Sequence, residues 1–258
     1  MPRVQRICGI RVQKNNKMRI KPDFFEWRGK FNASHVSQLL SSGENGEIFG
    51  WGAKTHIMDR AIQMVTTISE VDEPGDKPAQ LSHGDRNELE AYLHYMDGGP
   101  NPEVKYFGPG DQPDFVPKFG MLDEFICYPD GGVVGADKSI SFGIEIKCPF
   151  NSLIHFERLR WTSQWDIKEK YMQCYAQIQA NMMYTGASEW HFVSYDPRQV
   201  LKRLKIKVIP VFGDVKFQED LVFRIKEAVK EKYKIISEYL GVEVLNRADF
   251  IEKIHFFL

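Results

Sequence analysis

The sequence predicts a single α/β domain in which helices flank a central mixed β-sheet. Two patterns carry this prediction: short segments of alternating polarity, which are typical of strands, and longer segments with apolar residues at helical spacing. Segments of both kinds follow one another along the chain, which favours a sheet with helices packed against it. The chain has 258 residues, of which 43% are hydrophobic, and this is enough to form one sizeable core.

The N-terminal third is predicted to be mainly helical after a basic arm. Residues 1–30 hold nine basic and two acidic side chains, so this arm is either a phosphate-binding segment or a solvated leader. Helices are expected over 32–40, 53–68 and 85–93. The last of these helices has an apolar stripe that is expected to be buried: Leu89, Tyr92, Leu93 and Met96. Glu88 lies near the start of this helix, beside the stripe.

The strands are predicted to begin after an irregular connection, 97–117, that is rich in Pro and Gly. Strands are expected over 125–128, 133–136, 142–147, 190–195 and 203–211. The first two form a hairpin around the turn Pro129–Gly132, and Pro149 ends the third. Helices over 164–184 and 216–240 complete the pattern. The resulting division is an arm (about 1–26), a core (about 27–215) and a C-terminal helix with a tail (216–258).

Composition excludes several classes of protein. The formal net charge of -1 gives no general attraction to polyanions. The cysteines are far apart and show no Cys-x-x-Cys pair, and the histidines lack zinc spacing, so neither disulfides nor a zinc site are indicated. The sequence shows neither a membrane-spanning apolar stretch nor a signal peptide, and it has no Gly-rich ATP loop. We therefore expect a reduced, cytoplasmic protein.

The candidate reaction centre lies in the third predicted strand. Alternation of Phe142, Ile144 and Ile146 projects Glu145 and Lys147 together from the opposite face. Asp137, at the end of the preceding hairpin strand, is expected to add a second carboxylate. Such an all-oxygen pocket suits a hard cation such as Mg²⁺, and this chemistry points to phosphodiester hydrolysis. From these residues alone, a surface ion pair on an edge strand remains the alternative.

Sequence context distinguishes the triplet Glu145-Ile146-Lys147 from two similar triplets elsewhere in the chain. Asp166-Ile167-Lys168 lies in a polar, helix-like segment, and Asp214-Val215-Lys216 follows a glycine at a turn. Neither has an acid one hairpin earlier. Only the Glu145 triplet is framed by apolar strand residues.

Several sequence blocks, in order, resemble the exonuclease of phage lambda and its YqaJ-type viral recombination relatives within the PD-(D/E)xK superfamily. These blocks are Trp27–Ser34, Gly84–Glu88, the run GIEIKCPF, Gln177–Gln179 and Tyr195–Arg198. The resemblance implies a restriction-endonuclease-like fold with a central mixed sheet. It also implies two Mg²⁺ ions as cofactors, with Mn²⁺ as an alternative.

The resemblance also implies roles for individual residues. Asp137, Glu145 and the carbonyl of Ile146 would hold the metal, and Glu88 would reach it from the helix. Lys147 would orient or deprotonate the attacking water, and Gln177 would contact water or phosphate. A solvated helix glutamine is the alternative interpretation of Gln177.

The terminal 5′-phosphate is expected to bind near Arg28 and Ser34. Trp27 stands in the position that the arginine occupies in the resembled motif. The serine and proline that precede the metal-binding aspartate of that motif are replaced by Gly135 and Ala136 before Asp137. Two tryptophans beside arginines are candidates either to stack on bases or to pack at an interface: Trp161 and Trp165, next to Arg158 and Arg160.

Taken together, the sequence predicts a Mg²⁺-dependent exodeoxyribonuclease that digests linear double-stranded DNA to 5′-mononucleotides and leaves a 3′ single-stranded tail for recombination. Its 5′→3′ polarity is implied by the resemblance only. A homotrimeric ring and a single-strand-annealing partner are implied by the resemblance only. The alternatives are an endonuclease of the same fold, which is site- or structure-specific, and a non-catalytic DNA-binding module.

Overall fold

The computed structural model describes residues 10–11, 19–20, 28–66, 79–98, 101–108 and 124–257. The strands are β1 (Ile10–Arg11), β2 (Arg19–Ile20), β3 (Phe31–Asn32), β4 (Lys105–Tyr106), β5 (Phe125–Ile126), β6 (Gly131–Val134), β7 (Ile140–Lys147), β8 (Glu189–Tyr195) and β9 (Ile206–Phe212). A 3₁₀ helix spans Ala33–Leu40. The α-helices are α1 (Trp51–Val65), α2 (Ala79–Gly98), α3 (Ser152–Arg158), α4 (Gln164–Lys170), α5 (Met172–Thr185), α6 (Lys202–Lys205), α7 (Val215–Leu240) and α8 (Arg247–Phe257).

The central sheet has the strand order β4-β6-β7-β8-β9. β7 and β8 run parallel, whereas the other neighbouring strands run antiparallel. One face packs against α5, where Ile178 and Met182 meet Trp190 and Phe192. The other face packs against α2. The predicted mixed sheet between helices is therefore confirmed.

Burial on both faces makes β7 the centre of the sheet. Phe142, Ile144 and Ile146 are buried with α2 residues such as Tyr95. Gly143 and Glu145, on the opposite face, are buried as well. A Cβ at position 143 would overlap the indole ring of Trp190, which pairs with it on β8. The lack of a side chain at Gly143 therefore lets the two strands and the ring share this space.

The remaining helices form a second core beside the sheet. The 3₁₀ helix and α7 share a buried apolar cluster, to which Val36, Leu39, Leu221 and Ile225 contribute. α7 begins with Asp214 accepting the Phe217 N–H and ends at Gly241 in the left-handed conformation. Helix α8 follows, and its Phe250 is fully buried.

The predicted hairpin around Pro129–Gly132 is wrong. β5 pairs in parallel with β3, and β6 begins at Gly131 and pairs with β7. Glycines at 131 and 132 are typical of a turn in the sequence, but here they allow close approach of neighbouring strands. A Cβ on Gly131 would overlap the Lys105 carbonyl, and one on Gly132 would overlap the Phe142 carbonyl.

Two helix predictions also change. The predicted helix 164–184 is divided into α4 and α5, because Tyr171 leaves the helical conformation at φ -147° and ψ 56°. The α2 helix is longer than predicted, and its buried face holds Ala91 and Tyr95, whereas Leu89 and Leu93 are exposed.

Two expectations from composition can be compared with the described residues. Cys127, Cys148 and Cys174 are free thiols, and Cys8 lies outside the described residues. Of the helices in the described ranges, none is long and apolar enough to cross a membrane. Most of the basic arm lies outside these ranges, and the division into arm, core and tail stays a prediction.

Candidate active site

Glu145 and Lys147 project from the same face of β7, as the alternation predicts. Lys147 Nζ donates to Glu145 Oε1 at 2.5 Å. The Glu145 side chain is fully buried, whereas that of Lys147 is 27% exposed. Asn181 on α5 donates through Nδ2 to Glu145 Oε2 at 3.2 Å. β7 and α5 together therefore fix both oxygens of the Glu145 carboxylate.

Asp130 brings a second carboxylate to this position. Gly131 pairs with Ile144 in the antiparallel register of β6 and β7, so the preceding residue, Asp130, lies opposite Glu145. The Ile146 N–H donates to Asp130 Oδ2 at 2.6 Å. The close approach that the Gly131–Gly132 backbone allows therefore also places a carboxylate at the C-terminal end of β7.

The structure does not bring Asp137 to this cluster. Asp137 lies in the exposed turn between β6 and β7, where its Oδ1 accepts from the Ser139 N–H at 3.0 Å and from the Ser139 hydroxyl at 2.6 Å. β7 starts at Ile140, and five residues of strand rise by about 17 Å before Glu145. The prediction that Asp137 lies beside Glu145 is therefore wrong, because the register of β6 and β7 places Asp130 there instead.

Glu88 reaches the same region from α2. It lies one turn before the buried Ala91 and the half-buried Tyr92, and Tyr106 on β4 donates its hydroxyl to Glu88 Oε1 at 2.9 Å. Glu88 and Lys147 line the same cleft, and burial and Asp130 raise the pKa of Glu88 whereas Lys147 lowers it. Glu88 is therefore part of the cluster, as the resemblance implies.

Burial and mutual repulsion raise the pKa values of these carboxyls. Burial is the main cause for Glu145, and Asp130 adds to it, so that the pKa of Glu145 rises to about 8. Burial, with Asp130, raises the pKa of Glu88 to about 7. Burial also raises the pKa of Asp130. Although burial opposes its charge, Glu145 and Asp130 raise the pKa of Lys147 well above its ordinary value.

The donor set fits a hard cation, although the side chains are not arranged around one. Across the described part of the chain, no three His, Cys, Asp or Glu side chains are grouped so that they could hold a metal ion. Glu145 is bound to Lys147 and Asn181, and Asp130 to the Ile146 amide. However, three neighbouring carboxyls with raised pKa values are a site that a divalent cation would stabilise in the ionised form.

An open cleft of about 550 Å³ gives access to the cluster. Its walls include Glu88, Ile146, Lys147, Asn151, Arg158 and Tyr171. The cleft combines carboxylates with cations and an aromatic ring. This composition suits a substrate that carries phosphate groups next to flat bases.

Gln177 and Ser34, two further predicted site residues, are brought together. Gln177 Nε2 donates to Ser34 Oγ at 3.3 Å, and Gln177 is only 5% exposed. The alternative of a solvated helix glutamine is therefore wrong. Gln177 lies one helical turn before Asn181, which binds Glu145. Arg28 donates through Nε to the Gln63 carbonyl at 2.7 Å near the end of α1. Trp27 lies outside the described residues.

Sequence reasoning missed several residues that the structure places at the cluster. The signal for Asp130 was present as a Pro129-Asp130 pair, fifteen residues before Glu145. This pair matches the "PD" of the superfamily signature literally, but the glycines after it indicated a turn. Asn181 and Tyr106 had no distinguishing signal, because each reaches the cluster only through tertiary packing.

A comparison with protein families matches the part of the chain that holds most of these residues. The YqaJ-like viral recombinase domain family matches residues 120–188, which include Asp130, Glu145, Lys147, Gln177 and Asn181. No curated protein matches the sequence significantly.

Among solved structures, an alkaline exonuclease (LHK-Exo) from Laribacter hongkongensis is similar, at 24% sequence identity and a TM-score of 0.60, over 86% of this chain and 96% of that one. Its complex with dAMP aligns at 23% identity and a TM-score of 0.59, over 85% and 96% of the two chains. A phage-related exonuclease from Haemophilus somnus 129PT aligns at 14% identity and a TM-score of 0.60, over 81% and 96%. The predicted resemblance and the predicted fold are thus confirmed.

Proposed function

Starting from this resemblance in sequence and fold, we propose that the chain is a divalent-metal-dependent exodeoxyribonuclease of the viral recombination type. It digests linear double-stranded DNA from the 5′ end, releases 5′-mononucleotides and leaves a 3′ single-stranded tail. The observation that carries the proposal is the cluster of Asp130, Glu145 and Lys147 at the end of β7, next to an open cleft that Glu88 and Lys147 line.

The carboxyl groups of Asp130, Glu145 and Glu88 would hold Mg²⁺, with the Ile146 carbonyl as the fourth protein ligand that the resemblance implies. When bound, the cation supplies an activated water and offsets charge on the phosphoryl oxygens. The register of β6 and β7 presents Asp130 and Glu145 side by side, and Asn181 holds the Glu145 carboxylate in place.

Lys147 acts as a fixed positive charge. In the metal-free protein Glu145 and Asp130 raise the pKa of Lys147, and the protonated Nζ would donate hydrogen bonds to the phosphate and offset its charge. Glu88 would bind the cation, or a water bound to it, from its position on the wall of the cleft. The Tyr106 hydroxyl fixes its orientation.

The 5′-phosphate end of the strand would bind beside Ser34 and Gln177. Their hydrogen bond supports this, because it joins the segment predicted to bind phosphate to the helix that holds Glu145. Arg28 and Trp27 remain predicted contacts of the same phosphate.

Digestion of end-labelled linear duplex with and without Mg²⁺ tests the proposal. We expect mononucleotides from the 5′-labelled strand in the presence of Mg²⁺ or Mn²⁺, and none in EDTA. Lys147→Ala should lower the rate by roughly 10²–10³-fold, because it removes a fixed charge at the reacting phosphate. Full activity in this variant would contradict the assignment of the site.

Covalently closed circular DNA distinguishes the proposed exonuclease from the two alternatives, an endonuclease and a non-catalytic DNA-binding module. An exonuclease leaves the circle intact and digests it after linearisation, whereas an endonuclease nicks it. A non-catalytic module would bind linear DNA without releasing nucleotides. Nicking of the circle at the same rate as digestion of the linear form would favour the endonuclease.

We further propose a ring-shaped homotrimer that works with a single-strand-annealing protein. Encirclement would hold a chain of net charge -1 on DNA without strong electrostatic attraction. Exposed aromatic side chains such as Trp51 (86% exposed) and Trp165 (56% exposed) are consistent with interfaces between subunits. The mass in solution tests the trimer, and a monomer at working concentration would contradict it.

A further inference from the structure

Arg158, the last residue of α3, is a buried cation for which the described residues provide no carboxylate partner. Its side chain is 5% exposed. Within the described part of the chain it forms no ion pair with a carboxylate, its Nε has no hydrogen-bond partner, and Nη1 lies 3.5 Å from the Ser194 hydroxyl. Burying an arginine in this way is costly unless the charge is offset. Such a residue is therefore a candidate for binding an anionic ligand.

Three aromatic rings hold the Arg158 side chain in place. The guanidinium carbon lies 4.6 Å from the ring centroid of Tyr171, 5.6 Å from that of Phe192 and 5.8 Å from that of Trp161. These rings attract the charge but accept no hydrogen bonds along the planar fork of N–H groups. The guanidinium is thus fixed in orientation while much of its hydrogen-bonding capacity is unused.

The position of Arg158 connects it to the candidate active site. It lines the 550 Å³ cleft together with Lys147 and Glu88. It also lines an adjoining cleft of about 510 Å³, and Tyr171 belongs to the walls of both. The break between α4 and α5 occurs at Tyr171, and Lys147 and Arg158 both lower the pKa of its hydroxyl, although burial raises it overall. The two clefts share Arg158 and Tyr171 in their walls, and together they are called the groove.

We propose that Arg158 binds a second phosphate group of the DNA strand, next to the one that Lys147 contacts. The planar fork would donate two parallel hydrogen bonds to the non-bridging oxygens, which is the geometry that guanidinium and phosphate prefer. This inference rests on the proposed function, because it takes the strand in the cleft to be DNA. It gives the groove two phosphate subsites, one at Lys147 and one at Arg158.

The test is a binding cycle in EDTA, which separates binding from hydrolysis. The probe is the 5′-phosphorylated thymidine trinucleotide, compared with two versions that each lack one charge: one with a neutral methylphosphonate at the first linkage and one with it at the second linkage. Calorimetric titration gives the affinity of each probe for the wild type and for Arg158→Gln. Arg203→Gln, an exposed arginine that lines neither cleft, is the control.

We expect Arg158→Gln to bind the trinucleotide about tenfold or more weakly, and Arg203→Gln to bind it as the wild type does. Removing the charge of the phosphate that Arg158 contacts should weaken binding to the wild type but have little further effect in Arg158→Gln. Additive losses for both charge-deleted probes would overturn the inference, as would wild-type protein that does not bind the trinucleotide.

Arg158→Lys is a second variant for the case in which Arg158→Gln does not fold, because lysine retains the charge and most of the side-chain volume. It should keep the thermal midpoint close to that of the wild type but recover only part of the affinity, since lysine lacks the planar fork. If neither variant folds, equal binding of all three probes to the wild type overturns the inference. Absence of DNA digestion in Mg²⁺ would contradict the proposed function and leave the outcome of the binding cycle unaffected.

Discussion

Asp130 and Asp137 lie at opposite ends of the β6–β7 hairpin and form a matched pair of carboxylates. Asp130 accepts the Ile146 N–H beside Glu145, whereas Asp137 accepts from Ser139 in the exposed turn. We expect Asp130→Asn to lower DNA digestion by about 100-fold or more, because it removes a carboxylate that the proposed function assigns to the metal. Asp137→Asn should retain activity within about twofold of the wild type, as an exposed substitution away from the site.

Both variants should be compared at equal folded concentration, with circular dichroism as the check. The substitution of Asp130 should also weaken the affinity for Mg²⁺, measured as the metal concentration that gives half-maximal rate. Loss of activity in Asp137→Asn with full activity in Asp130→Asn would mean that the hairpin register of the active protein differs from the one described here.

The raised pKa values of Glu88 and Glu145 predict how stability depends on pH. Their folded pKa values of about 7 and about 8 lie above the ordinary value of 4.5. Between pH 4.5 and about pH 8, the folded state therefore binds more protons than the unfolded state does. This contribution to stability is therefore present at low pH and is lost as the pH rises through 7 to 8. In EDTA, the thermal midpoint should fall between about pH 6 and about pH 9.

Mg²⁺ should oppose this loss, because it favours the ionised carboxylates. The increase in midpoint on adding Mg²⁺ is expected to be larger at about pH 8.5 than at about pH 6. Glu145→Gln, which cannot ionise, should flatten the pH dependence in EDTA. A wild-type midpoint that rises steadily with pH in EDTA would contradict the electrostatic description of the cluster.

The strands and helices show which structural features the local sequence pattern determines and which it does not. Alternation along β7 was sufficient to place Glu145 and Lys147 on one face, because the period of a strand is two. It could not supply the register with β6, since Gly131 and Gly132 favour a turn locally and enter a strand only because neighbouring backbones approach closely. The break at Tyr171 was also unpredictable, as the apolar periodicity continues through it.

Gly143 provides a test of this close packing at the level of the element. A Cβ at this position would overlap the indole of Trp190 on the adjacent strand. We expect Gly143→Ala to lower the free energy of unfolding by about 1–3 kcal/mol, as overpacking of a tight core does. Urea titration measures the change.

Gly52→Ala in α1 is the matched control, because nothing lies within 4 Å of the added Cβ. Alanine favours a helix over glycine, so this variant should be unchanged or more stable by up to about 1 kcal/mol. An unchanged stability of Gly143→Ala would mean that Trp190 moves aside without cost, and that the absence of a side chain at 143 has another reason.

At the scale of the whole molecule, one buried carboxylate joins segments that are far apart in the chain. Glu124, just before β5, accepts from Lys232 and Tyr233 on α7, and Arg247 on α8 donates to it at 3.0 and 3.1 Å. Although burial opposes its ionisation, Lys232 and Arg247 hold the pKa of Glu124 below its ordinary value. Sequence pattern predicted α7 but not α8, and a pairing across 108 residues leaves no local signal.

The same cluster reaches the segment that precedes Ser34. Lys232 Nζ donates to the Gly29 carbonyl and Arg247 Nη1 to the Arg28 carbonyl, each at 3.0 Å. Two buried cations thus support the turn before β3 while sharing one acidic partner. Removal of that partner would leave both charges buried, which is far more costly than loss of an exposed ion pair.

We therefore expect Glu124→Gln to lower the free energy of unfolding by about 3–5 kcal/mol. Glu47→Gln is the control, since Glu47 forms an exposed ion pair with Lys54 at 2.5 Å and its loss should cost at most about 1 kcal/mol. Urea unfolding measures both. The cluster supports the turn that leads to Ser34. In Glu124→Gln, digestion of 5′-phosphorylated duplex should therefore decline at a lower urea concentration than the one that unfolds the protein. Similar stability of the two variants would show that Lys232 loses its proton or reaches water when Glu124 is neutralised.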